Sequence, residues 1–328
     1  MRPTRTLLLL LSFTIAPPVL RADVTVRYKT EVHAQQLPGA ASPNAIPPAT
    51  ILQIKGSKAF TNFGLGSSLI DSDKQEVTML DATHKLFATV LMKDYAGELP
   101  SLMPSMPNLP PAVLQILDSL KTDVASRKTG RSDTILGIQA EETEWTISLS
   151  MPLPPGMPAR PGVDPSQPVT IMKMVLQSWS ATPEEQERQP AIKEWIAYSS
   201  NSARLLNPFG ALQQFVAGVP GIGKGLAPAF QQLADQKRAM LKSHMELYIP
   251  VMRQIAPMMR AQGQLPAGFD PNAALIQADT VATEISAAPI PDSVFQVPDD
   301  YHVTTLAVLF QSIMPTRPAV PAPGAPSR

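Results

Sequence analysis

The run Gly218-Val219-Pro220-Gly221-Ile222-Gly223-Lys224-Gly225 has the spacing of a phosphate-binding P-loop as far as its lysine. In such a loop backbone N–H groups cradle the phosphates, the lysine reaches the outer ones, and a following Ser or Thr hydroxyl holds Mg²⁺. Gly225 stands where that hydroxyl belongs, and residues 211–217 before the run have helical rather than strand spacing. A Gly/Pro linker between two helices is the expectation. Asp71-Ser72-Asp73 opens like a calcium loop, but Glu76 occupies the position of the turn glycine and Ala82 that of the closing carboxylate. It is read as a polar hairpin turn. His33, His84, His244 and His302 are isolated, without metal-ligand spacing, and no Gly-x-Ser-x-Gly elbow occurs. The clusters Glu141-Glu142-Glu144 and Glu184-Glu185-Glu187 could supply a carboxylate pair, but beside a strand or at a helix start they are expected to be solvated. No catalytic residue, cofactor or metal ligand is assigned, and the chain is expected not to be an enzyme. A hydrolase would need carboxylates distant in sequence to converge in a cleft.

Composition narrows the classes further. The 328 residues carry 27 Lys+Arg against 27 Asp+Glu, without the basic excess of a nucleic-acid binder. With no cysteine there is no disulfide, thiolate metal site or thiol nucleophile. A hydrophobic content of 44% suffices for a sizeable core, and 15 methionines offer adaptable packing or a pliable pocket.

Arg2 and Arg5, the apolar run from Leu7 to Ala16, Pro17-Pro18 and the exit at Leu20-Arg21-Ala22 have the three-part order of a secretory signal peptide. The run is short of the roughly 20 apolar residues needed to span a bilayer. Cleavage after Ala22 is expected, giving a periplasmic or secreted chain with no transmembrane segment after signal removal.

Prolines cluster at 38–48, 100–111, 152–168 and 315–328. Lacking a ladder N–H, such runs are neither central strand nor helix interior. The first three are expected as insertions in a single domain over 23–313, and 314–328 as a disordered Pro-rich tail. Between them the pattern has mostly period two. Thr143, Trp145, Ile147, Leu149 and Met151 alternate with Glu144, Thr146, Ser148 and Ser150, which predicts a strand wet on one face. Val24 to Tyr28, Ile51 to Ile54, Lys58 to Asn62, Ser68 to Ile70, Glu76 to Leu80 and Leu86 to Leu91 form a meander of short strands. Further strands are expected at 169–179, 192–198, 245–249 and 275–285. Helical spacing is read at Val113, Ile116, Leu117, Leu120 and Val124, at Phe209, Leu212, Phe215 and Val216, at Phe230, Leu233, Ala234 and Leu241, and over 250–261.

Several segments in order resemble domain-of-unknown-function family 4412, exported bacterial proteins related to the lipoprotein-carrier (LolA-like) fold. They are Val24 to Val32 with Ile54-Lys55-Gly56-Ser57-Lys58; Leu69-Ile70-Asp71 with Val77 to Leu80 and His84-Lys85-Leu86-Phe87; Ile135 to Ala140; Glu194-Trp195-Ile196-Ala197; and Asp292 to Tyr301 with its F-x-x-P-x-x-Y. The proline insertion at 152–168 and residues 302–328 lie outside the pattern. The resemblance implies an α+β fold, an incomplete, curved antiparallel β-barrel with amphipathic helices on its concave face. It implies no catalytic residues.

Together these readings predict an exported binding protein for an apolar ligand, an acyl chain or lipid-like molecule, lined by Trp145, Ile147, Leu149, Trp195, Leu212, Phe215 and Phe230. The rival expectation is a structural or protein-interaction module of the envelope with a packed core, no ligand and the Pro-rich tail as its contact surface for an unidentified protein partner.

Overall fold

The computed structural model describes residues 23–35, 49–62, 66–95, 119–151, 168–202 (side chains through 199), 232, 238–266 and 268–313. The expected signal peptide, the expected insertions at 38–48 and 100–111 and nearly all of that at 152–168, the Gly218–Gly225 run, the tail, the expected helices around 108–117 and 208–217 and all but residue 232 of that around 227–237 lie outside them.

Twelve strands form one sheet: β1 (Val24–Ala34), β2 (Ala49–Lys55), β3 (Lys58–Asn62), β4 (Ser67–Asp71), β5 (Glu76–Asp81), β6 (Leu86–Leu91), β7 (Lys121–Ile135), β8 (Ile138–Met151), β9 (Val169–Ala181), β10 (Met240–Tyr248), β11 (Ile276–Ser286) and β12 (His302–Val303). Their order is β12-β6-β5-β4-β3-β2-β1-β11-β10-β9-β8-β7, with every pairing antiparallel except β12 beside β6. The meander from β2 to β6 follows from short alternating segments separated by polar turns. At Leu136-Gly137 both residues have positive φ, 54° and 78°, which is the two-residue turn that matches strand twist and turns β7 into β8.

The expected incomplete barrel is overturned. The sheet is mixed and open, with β12 and β7 as separate edges. Closure would require those edges to pair, but β12 has only two residues and β7 is a mostly exposed, charge-rich strand broken by a bulge. These are features that protect an edge from pairing. Nor do the described helices form a layer over a concave face. The described helices of six residues or more are α1 (Pro183–Arg188), α2 (Pro190–Ser202), α3 (Met252–Ala261) and α4 (Leu306–Ile313). Of these, α2 packs on β1 and α4 on β5 and β6, at separate places.

Residues 192–198, expected as a strand, belong to α2. Ile192, Trp195 and Tyr198 recur at helical spacing and are buried together. Thr182 accepts a hydrogen bond from the Glu185 N–H to start α1, and Pro190 opens α2. Conversely Val124 and Leu241, expected on helical stripes, sit in β7 and β10.

Burial falls into two main groups. Val24, Val26 and Tyr28 of β1, Ile54, Ile70, Val77 and Met79 of the meander, Trp195 of α2 and Leu309 of α4 make the larger. Trp145, Ile147, Met174, Leu176, Met245, Leu247 and Ala278 make the second. Strand β8 serves both. Its buried residues are Ile138, Ala140 and Glu142, then Thr143, Trp145, Ile147 and Leu149, with unbroken pairing to β9 through the change. Because side chains alternate, β8 switches its buried side between residues 142 and 143.

Candidate functional site: a basic cleft beside a buried tryptophan

The switch on β8 faces an interruption in β7. Lys128 pairs with Thr143 and Ser132 with Glu141, so residues 129–131 oppose Glu142 alone. Gly130, at φ 78°, supplies the left-handed conformation that this bulge requires. The bulge carries Arg131 to Glu142, and a guanidinium nitrogen donates to Oε1. The Glu142 side chain is 0% exposed and its Oε2 has no hydrogen-bond partner. The expectation that both acidic clusters are solvated therefore fails at their middle residues. Glu185 is also buried, and Arg188 holds its carboxyl below the usual range through a 2.6 Å hydrogen bond.

Just before the bulge lies a cleft of about 320 Å³ lined, among the described residues, by Ser126, Arg127, Lys128, Thr143 and Arg238. Ser126 pairs with Trp145 and Lys128 with Thr143, so these four residues share one side of the β7–β8 ladder. Lys128 and Arg238 approach the same Glu141 oxygen at 3.9 and 3.8 Å, beyond direct hydrogen bonding. Two cations thus share one carboxylate. The adjacent Arg127 is committed elsewhere, with Nε and a terminal nitrogen each 2.9 Å from Glu144 Oε1, a contact that raises its pKa.

Two residues beyond Thr143 on the same side, Trp145 is buried, and its indole N–H has no hydrogen-bond partner. It belongs to the second apolar group, whose described members, including the partly buried Val32, Val124, Met172 and Ile276, are all strand residues. Ile147 lies in that group, and Leu149 continues the same side of β8. Trp195 does not join them. It sits on α2, its ring 6.3 Å from that of Tyr28 in an edge-on contact. Leu212, Phe215 and Phe230 lie outside the described residues.

Lys128, Arg131 and Arg238 escaped the sequence reading, and Glu142 is read there as a solvated carboxylate. A glycine inside a strand is a bulge signal, and Gly130 could have marked β7. Nothing local joins Arg238 to residues 126–143. Among the described residues no group of three or more His, Asp or Glu side chains is placed to hold a metal ion. His84 contacts Asp81 and His244 contacts Asp279.

The fold and site thus define a protein built on a single open, mostly antiparallel sheet, with a basic cleft on the edge hairpin beside an apolar, methionine-containing sheet face. No protein-family model matches the chain, and no curated protein matches it. No described helix is long and apolar enough to cross a membrane.

Proposed function

We propose that this chain is an exported, non-enzymatic binding protein of the bacterial cell envelope that holds an acyl chain or similar apolar ligand against the Trp145–Ile147–Leu149 side of the sheet. The observation that carries this reading is the composition of that face. Met172, Met174 and Met245 surround Trp145, Ile147 and Leu176, and no described helix residue belongs to the group. Methionine side chains adapt to irregular apolar partners at little cost, which suits a ligand of variable chain. The resemblance to the lipoprotein-carrier relatives points the same way at the level of motifs, and the N-terminal residues support export.

The alternative is an envelope interaction module without ligand. Ile147, Leu149 and Leu176 are each 0% exposed, as in a face already packed. Mass spectrometry of lipids co-purifying with the native protein separates the two. A bound chain-bearing lipid near one equivalent is expected. No lipid, and no rise in melting temperature of the delipidated protein with any fatty acid or phospholipid, would leave the module reading in its place.

A further inference from the structure

We propose that the cleft lined by Ser126, Lys128, Thr143 and Arg238 is the seat for the anionic headgroup of the ligand, a carboxylate or phosphate, whose chain continues along Trp145 and Ile147. This inference rests on the apolar-ligand reading above and adds the chemical class of the ligand's polar end.

Three observations carry it. The first is charge. Lys128 and Arg238 flank Glu141 at 3.9 and 3.8 Å, so among the described residues one positive charge is unmatched and neither cation lies at hydrogen-bond distance from that carboxylate. A carboxylate or phosphate entering between them supplies what Glu141 does not, and the planar Arg238 fork suits two oxygens of one anion. Ser126 and Thr143, both hydroxyl-bearing, are among the described residues that line the cleft of about 320 Å³. The second is register. Thr143, Trp145, Ile147 and Leu149 project from one side of β8, so the cleft stands at one end of an apolar track that is buried in the ligand-free chain. From Thr143 to Leu149 that track is about 20 Å long at roughly 3.4 Å per residue, the length scale of an extended long acyl chain. The third is Trp145, buried at the junction of the basic and apolar parts with an unpartnered indole N–H. Such a group costs stability when left unsatisfied, and an oxygen near the headgroup end of a ligand would relieve it.

The test compares the delipidated full chain with Lys128→Ala/Arg238→Ala and with the charge-retaining Lys128→Arg/Arg238→Lys, each first checked for an unchanged circular dichroism spectrum. Calorimetry at low salt uses palmitate and, as its uncharged counterpart, monopalmitoylglycerol. The wild type should bind palmitate about tenfold more tightly or better, as expected for charge-assisted hydrogen bonds. The double alanine variant should lose that preference while its affinity for monopalmitoylglycerol stays unchanged, and the charge-retaining variant should keep most of it. Equal affinities in the wild type, or a preference that survives the double alanine change, overturns the headgroup site.

If neither lipid binds, the apolar-ligand reading fails by itself, and inorganic phosphate and acetate then decide the cleft. A melting-temperature rise with either ion that disappears in the double alanine variant keeps an anion site for a free oxyanion. The absence of such a rise overturns the site as well.

Discussion

Arg131 donates to the carboxylate of Glu142 across the β7 bulge, so a mostly exposed guanidinium is the hydrogen-bond partner of a wholly buried acid. Removing the arginine leaves that acid without a counter-charge, whereas removing both charges does not. Arg131→Ala should lower stability by about 1–3 kcal/mol, and Arg131→Ala/Glu142→Gln by less than Arg131→Ala alone. Urea unfolding of the single and double variants measures the coupling. A double variant less stable than Arg131→Ala would show that Glu142 is held by something other than this pair.

Tyr28 ties three parts of the larger core together. Its hydroxyl donates to the Met240 carbonyl at 2.9 Å, across β11, while its ring meets Trp195 of α2. Burial pushes the phenol well above its ordinary pKa, so it stays a neutral donor wherever the fold persists. Tyr28→Phe keeps the ring contact but strands the carbonyl, and should cost about 1–2 kcal/mol. Chemical denaturation provides the check, and an unchanged midpoint would mean that water replaces the hydroxyl.

The two sides of β8 should respond differently to truncation. Leu149 is fully buried, so Leu149→Ala should cost about 2–5 kcal/mol through the cavity it leaves. Ser148 points to the opposite, partly exposed side, and Ser148→Ala should change stability by less than about 0.5 kcal/mol. Thermal unfolding of both variants suffices, and similar losses would contradict one-sided burial of this stretch.

The attachment of α4 should be acid-labile. Burial raises the Asp81 pKa, but donation from Ser312 Oγ at 2.7 Å, contact with His84 Nδ1 at 2.6 Å and the N–H groups of His84 and Thr83 outweigh it, leaving the carboxyl below its usual value. A depressed folded pKa contributes stability that is fully present above the ordinary carboxylate value of about 3.9 and is lost as pH falls through the folded value. Ser312→Ala should therefore be less stable at neutral pH and lose less on acidification. Urea midpoints at neutral pH and near pH 3 measure the difference, and parallel losses in both proteins would remove Asp81 as the acid-sensitive contact.

The alternation from Thr143 to Met151, the meander and the strands near 169–179 and 275–285 were legible without any structure, because side-chain period is a property of a few consecutive residues. The same locality explains the errors. At Ile192, Trp195 and Tyr198, within the expected strand 192–198, the apolar spacing is that of a helix buried on one face. Leu136-Gly137, inside one segment of the family resemblance, is the turn between two strands. Only the tertiary structure decided which strands meet. It laid His302-Val303 alongside Leu86-Phe87, and it set Lys85 5.2 Å above the Tyr301 ring, which joins two segments of the resemblance across the chain. It likewise left β7 at an edge of the described sheet, away from β12, so that the sheet does not close into a barrel. The candidate site belongs to the same category. Arg238 reaches Glu141 through the lateral order β10-β9-β8, and Glu142 is buried where the bulge in β7 meets it. Neither relationship has a local signature, since the burial of a charge depends on which neighbours the sheet brings to it rather than on the residues beside it in sequence.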